Sequence, residues 1–192
     1  MDVREQLALL SQAAIHDDYV SAGAAAADGR GFFAAPAGDA APHRDVLPCV
    51  SHLTAPDGQR RAILKILQTS ACQNNCNYCA FRAGRDLRRA HVTPDDLARS
   101  FDLMYRAGLV EGLFLSSGVV GNRGMDEMIE TVELVRTKYA FRGYVHLKLL
   151  PGADSGHVEA AVRLADRVST NLEAPTPETL ALLAPVKQMP ML

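Results

Sequence analysis

The sequence predicts an α/β fold: a partial, TIM-like (βα) barrel of about four strand-helix units, preceded by an N-terminal helix, a linker and a hairpin. Three observations lead there. From residue 61 onward, β-rich apolar runs alternate with helix-period segments, each pair taking roughly the thirty residues of a βα unit. Strands separated by helices pair in parallel through right-handed crossovers, and such sheets are covered on both faces. At 48% hydrophobic and 22% charged over 192 residues, the chain has material for one globular core.

Residues 3 to 15 place Val3, Leu7, Leu10 and Ala14 near helical spacing with polar residues between, so a short amphipathic helix opens the chain. From 21 to 44 the composition shifts to Ala, Gly and Pro, which reads as a loop or linker. Pro56-Asp57-Gly58 then separates Val50-Ser51-His52-Leu53 from the apolar run 62 to 67 and predicts a hairpin. Residues 1 to 60 are therefore the N-terminal segment, and 61 to 192 the barrel. Thr93 as N-cap, Pro94 in the first turn, Asp95 and Asp96 at the positive end and Gly108 beyond the last turn predict a helix over 94–107. A strand over 112–117 follows, then a helix with Met125, Met128, Ile129, Val132 and Val135 on one face. The third strand spans 144–150 and the third helix 157–165. The fourth strand spans 168–173, and Thr176-Pro177-Glu178 caps a fourth helix. Four strands do not close a barrel and the last would leave an open edge, so the chain is expected to be the N-terminal part of a longer protein, truncated within its barrel.

A net charge of -2 gives no global positive field, so any contact with nucleic acid must be local. No run approaches the roughly 18 consecutive apolar residues of a spanning helix, and Met1-Asp2 lacks the positive start of a secretory signal. The expected address is the cytoplasm, with no membrane partner. The chain has 4 cysteines, too few for a disulfide scaffold; those at 72, 76 and 79 crowd together, which points to metal or redox chemistry.

Cys72-Gln73-Asn74-Asn75-Cys76-Asn77-Tyr78-Cys79 reads C-x3-C-x2-C and follows closely on the apolar run 62 to 67, the first barrel strand. Active sites of such sheets form at the carboxyl ends of the strands, so this loop carries its thiols to the mouth of the barrel. Three thiolates hold three irons of a cubane and leave the fourth open. Zinc is the alternative. It requires a fourth ligand such as His52 or His91, and the common repeated C-x2-C knuckle is absent.

With Tyr78 as the bulky residue before the last cysteine, the motif resembles the signature of the radical SAM superfamily. The resemblance implies a barrel of the radical SAM type, a [4Fe-4S] cluster on Cys72, Cys76 and Cys79, and S-adenosyl-L-methionine chelated to the open iron. It further implies reductive cleavage to methionine and a 5′-deoxyadenosyl radical that takes hydrogen from a substrate, with a reducing partner such as flavodoxin or ferredoxin. Gly112-Leu113-Phe114-Leu115-Ser116-Ser117-Gly118-Val119, Gly143-Tyr144-Val145-His146-Leu147-Lys148 and Ser169-Thr170-Asn171-Leu172-Glu173-Ala174-Pro175 are similar to one branch. It comprises the radical SAM proteins assigned to DNA modification or repair and associated with uracil-DNA glycosylase. This similarity runs from the N-terminal helix to Pro185. It implies DNA or another nucleic acid as partner, although the further strands and helix-hairpin-helix region of that branch are not in these 192 residues. A small metabolite or protein substrate is the rival within the superfamily, and a zinc-stabilised interaction module the rival outside it. Where the wider superfamily commonly ends its second strand in Gly-Gly-Glu, beside the methionyl amine, Ser116-Ser117-Gly118 stands here. Carbonyls and hydroxyls replace the acid.

Strand residues alternate between barrel interior and helix layer. Val145, Leu147 and Leu149 form the apolar set of the third strand, which sends His146 and Lys148 inward; on the fourth, Ser169, Asn171 and Glu173 are the inward polar set. Similarity to the family assigns such groups to the ribose or the methionyl carboxylate: Asn171 and Glu173 suit hydroxyls, Lys148 a carboxylate. A structural ion pair between Lys148 and Glu173 is the alternative. Arg82, Arg85, Arg88 and Arg89 form a local basic patch, read as a solvated or cluster-screening face ahead of a phosphate contact. Gly118, Gly121 and Gly124 match neither the dinucleotide fingerprint nor the P-loop and read as loop flexibility. Cys49 reads as a small buried hydrophobe, and His16, His43 and His157 carry no motif.

Overall fold

The computed structural model describes residues 2–15, 50–54 and 58–187. The linker expected at 21–44, with His16, His43 and Cys49, lies outside them. The elements are α1 (Val3–Ile15), β1 (Val50–Thr54), β2 (Arg60–Leu67), α2 (Pro94–Arg106), β3 (Gly112–Ser116), α3 (Arg123–Thr137), β4 (Tyr144–Lys148), α4 (Ser155–Leu164), β5 (Arg167–Ser169) and α5 (Pro177–Leu183). The strands form one sheet in the order β1-β2-β3-β4-β5. β1 runs antiparallel to β2, closing the hairpin, and the other pairs are parallel.

Register decides which side chains share a face. Leu64, Leu113 and Val145 stand in one row, and Ile66, Leu115, Leu147 and Val168 in the next. These rows pack beneath the helices in a core that also takes Leu97, Phe101, Met125, Met128 and Val132. Helix α1 joins the same core through Leu10 and Ala14, so its apolar stripe is spent against β2. The opposite face carries a polar row, in which Lys65, Phe114, His146 and Arg167 stand side by side.

Local chemistry sets the helix ends. Thr93 accepts from the Asp96 amide with Pro94 in the first turn, as the sequence predicts for α2. Helix α4 begins two residues earlier than expected. Its N-cap is Asp154, which accepts from the His157 amide while the His157 ring accepts from the Asp154 amide. His157 is thus the third residue of a capping box. In α3 the buried face includes Thr131, whereas Ile129 is only half-buried.

Three strands end earlier than expected, β3 by a single residue, at Ser116. β4 stops at Lys148, because the turn through Pro151 and Gly152, where Gly152 has φ 86°, begins just beyond it. β5 stops at Ser169 instead of running to 173, and Glu173 has φ 64°, a left-handed conformation that no extended strand contains. The alternation that placed Asn171 and Glu173 on an inward face therefore does not extend to them.

Candidate metal centre

The carboxyl end of β2 leads into residues 68–93, which carry the three cysteines, and backbone bonds fasten this segment to the loop after β3. The Gln68 amide donates to the Ser116 carbonyl at 2.8 Å, the Gly118 amide to Thr69 at 2.8 Å, and the Gln73 amide to Val119 at 2.8 Å. Gly118 is required for this approach: a Cβ there would lie 2.0 Å from the Ala71 carbonyl oxygen. The triplet Ser116, Ser117 and Gly118 is thus the seat of the cysteine loop, and the flexibility read into Gly118 is replaced by a steric demand.

Within the loop, the Cys79 amide donates to Cys76 at 3.1 Å and the Ala83 amide to Asn74 at 2.7 Å. From above, α5 closes over it: the Asn77 amide donates to Leu183 at 2.7 Å and the Asn77 side chain to Leu182 at 2.7 Å. Cys76, Ala174, Leu180 and Ala184 form a small buried cluster there, edged by Tyr78, Cys79 and Leu183. None of the three cysteines of the motif is in a disulfide; Cys76 is buried and Cys72 and Cys79 are half-buried.

Burial also brings charged groups together. Lys187 Nζ lies 2.5 Å from Glu173 Oε1, with side chains 9% and 4% exposed, and 3.4 Å from the Tyr78 hydroxyl. Burial pushes the Glu173 carboxyl up, but Lys187, Tyr78 and Asn171 bonded to its charged form hold it below its ordinary range. Burial pushes the Tyr78 phenol far up, and the Glu173 carboxylate adds to the effect. The Cys76 thiol is likewise raised by burial, against the pull of Lys187. Tyr78, Asn171 and Glu173 therefore meet beside Cys76. The cation of Glu173 is Lys187, which the sequence reading missed because it lies beyond the last periodic segment.

Lys148 and His146 are buried on the polar face of the sheet. His146 Nε2 lies 2.7 Å from the Ser169 hydroxyl, and its ring meets Phe114 edge-on at 4.6 Å. Lys65 adds a cation over the Phe114 ring, 5.4 Å from its centroid. The reading missed Lys65, although a single lysine inside an otherwise apolar strand was a signal for it. A cavity of about 230 Å³ adjoins the loop, lined by Gln73, Asn74, Asn122, Gly152, His157 and Lys187 among others. His157 Nε2 lies 2.9 Å from Asp126 Oδ1.

The basic patch is divided by the fold. Arg82 donates to the Asn77 side chain, Arg88 pairs with Glu5 on the surface, and Arg89 turns into the main chain of the cysteine segment. The histidines named as fourth zinc ligands are placed elsewhere: His91 meets Glu127 at 2.9 Å, and His52 is exposed on β1. Among the described residues no three His, Cys, Asp or Glu side chains converge on a point for one metal ion. A cubane presents separate irons to separate thiolates, and three unoxidised cysteines in one covered loop suit that donor arrangement.

The family profile described as the Radical SAM superfamily matches residues 66–189, well over half of the chain. The chain belongs to that superfamily. Its members work with a [4Fe-4S] cluster and S-adenosylmethionine. Solved structures agree on the fold. One is HydG, a maturase of the [FeFe]-hydrogenase, with TM-score 0.53, 17% identity, and coverage of 65% of this chain and 28% of that one. Another is the FeFe-hydrogenase maturase HydG from Carboxydothermus hydrogenoformans, with TM-score 0.50, 18% identity, and coverage of 62% and 28%. At these identities the likeness concerns the fold, a partial (βα) barrel of the radical SAM type. The chain spans under a third of the length of either structure. No curated protein matches, and among the described residues no helix is long and apolar enough to cross a membrane.

Proposed function

We propose that Cys72, Cys76 and Cys79 hold the [4Fe-4S] cluster, and that the chain serves the reductive cleavage of S-adenosylmethionine for reaction on a modified or damaged nucleic acid. The observation that carries the first part is the loop that holds three cysteines outside any disulfide at the carboxyl end of β2, seated on Gly118 and covered by α5. Bound beside the cluster and given one electron, S-adenosylmethionine would supply methionine and a 5′-deoxyadenosyl radical able to take a hydrogen atom from the substrate.

The protein's own groups hold and shield. The Cys76 thiol would give up its proton on taking up iron. Leu180 and Ala184 keep water from that sulfur. Asn171 and Glu173 provide acceptors for ribose hydroxyls, Lys148 a cation for the methionyl carboxylate, and Ser116, Ser117 and Gly118 carbonyls and hydroxyls for the methionyl amine. Tyr78 steadies the Glu173 carboxylate by a hydrogen bond. A flavodoxin or ferredoxin supplies the electron.

The nucleic-acid substrate rests on the three segments at 112–119, 143–148 and 169–175. The arginine patch adds little to it, since Arg88 and Arg89 are engaged within the chain. Anaerobic reconstitution with iron and sulfide, then detection of 5′-deoxyadenosine after adding dithionite and S-adenosylmethionine, tests the reaction. The wild type is expected to turn brown and Cys72→Ser to lose its iron. Glu173→Ala is expected to keep iron and bind S-adenosylmethionine more weakly. A colourless protein retaining one zinc overturns the proposal. Oligonucleotides carrying damaged bases are expected to raise 5′-deoxyadenosine formation; stimulation by small metabolites alone overturns the substrate assignment.

A further inference from the structure

We infer that Arg89 is the positioning residue of the cysteine loop, a clamp that joins its two arms; the inference rests on the reading of that loop as the cluster site. The guanidinium Nη1 donates to the Ser70 carbonyl at 2.7 Å and to the Phe81 carbonyl at 2.8 Å. Its Nη2 donates to the Arg82 carbonyl at 3.0 Å and to the Arg85 carbonyl at 3.4 Å. Ser70 precedes Cys72, and Phe81 and Arg82 follow Cys79, so one side chain grips the main chain on both sides of the three thiols.

The clamp is anchored at its own base. The Ala90 amide donates to the Ser70 hydroxyl at 2.9 Å, the Ser70 amide donates to the Ala90 carbonyl at 3.0 Å, and Thr69 bridges His91. Arg89 is thus held against the start of the loop by backbone and reaches its end by side chain. A guanidinium is suited to this, because its N–H donors lie in a fixed plane and meet several carbonyls at once, whereas an ammonium is a compact point charge. The remaining arginines of the patch differ: Arg82 meets a side chain, and Arg88 forms an exposed pair 3.4 Å long with Glu5. A loop held at both ends loses little freedom when it takes up a cluster, so the clamp pre-organises the thiols.

Hydrogen exchange of the full-length apoprotein, followed by iron content after anaerobic reconstitution, tests the assignment on Arg89→Lys and Arg89→Ala. Both variants are expected to keep wild-type exchange in β3 and β4. Amides at 72–83 are expected to exchange at least about tenfold faster, as loss of the planar fork in Arg89→Lys and of all its backbone tethers in Arg89→Ala dictates. Iron per chain is expected to fall by half or more. Millimolar guanidinium is expected to restore loop protection and iron to Arg89→Ala, while methylammonium does not. Wild-type exchange and iron in both variants overturn the clamp, and equal rescue by methylammonium overturns the role of the planar fork. Should the wild type take up no iron while Arg89→Lys still loosens the loop, the cluster reading fails and the clamp stands. Arg89→Lys keeps the test decisive if Arg89→Ala does not fold.

Discussion

Replacing Gly118 by alanine tests the seating of the cysteine loop. The added Cβ would lie 2.0 Å from the Ala71 carbonyl oxygen, 2.8 Å from the Ala71 carbonyl carbon and 3.2 Å from the Thr69 oxygen. These are backbone atoms, which no rotamer change moves, so Ala71 must retreat by roughly 1 Å, with Cys72 immediately behind it. That retreat breaks or stretches the bonds from Gly118 to Thr69 and from Gln73 to Val119, each 2.8 Å long. At about 1 kcal/mol per bond plus about 1–3 kcal/mol for overpacking, the expected loss is about 3–5 kcal/mol. Urea unfolding of the apoprotein reads the stability, and iron per chain after reconstitution reads the loop. The control is Gly121→Ala, where φ is 64° and nothing lies within 4 Å. It is expected to lose about 1–2 kcal/mol through backbone strain and to keep its iron. A Gly118→Ala protein that keeps full iron and is no less stable than Gly121→Ala would refute the steric argument.

Other expectations concern the core and surface. Thr131 and Gln68 are fully buried, with the Thr131 hydroxyl 2.8 Å from Gln68 Oε1 and the Gln68 amide bonded to the Val92 carbonyl. Thr131→Val is expected to cost about 1–3 kcal/mol by stranding that oxygen. A double-mutant cycle with Gln68→Leu should show the pair costing less than the sum of the singles; additivity would contradict it. Phe101 is buried against the edge of Phe141, with centroids 4.9 Å apart, so Phe101→Ala is expected to cost about 3–5 kcal/mol in the same unfolding assay. Lys138, hydrogen-bonded to Asp95, holds that carboxyl below its ordinary 3.8. Because the folded form resists protonation, the contribution is present above pH 3.8 and lost as the pH falls through the lower folded value. Unfolding of wild type and Asp95→Asn compared between pH 2 and 6 should show their difference vanish in acid and shrink at about 0.5 M salt. A difference independent of pH would count against the pair.

The alternation of strand and helix was legible because periodicity and end signals are local: Thr93 and Pro94 open α2, Thr176 and Pro177 open α5, and Val145 and Leu147 face the helix layer. The spacing of Cys72, Cys76 and Cys79 with Tyr78 was equally plain, since the donors proposed for the cluster stand close together in the chain. Strand ends were less so. Alternating polarity continues from Ser169 through Glu173, yet the backbone of Glu173 turns left-handed and leaves the sheet. The sequence by itself determined the class of fold and the spacing of the thiols in their loop. Only the tertiary structure decided that Gly118 seats that loop, that Lys187 is the cation of Glu173, and that Arg89 grips the main chain while Arg88 stays at the surface. The physical reason is distance along the chain. A residue's own pattern records its secondary structure and burial, but a carbonyl or carboxylate brought to it by folding leaves no mark on its neighbours in sequence.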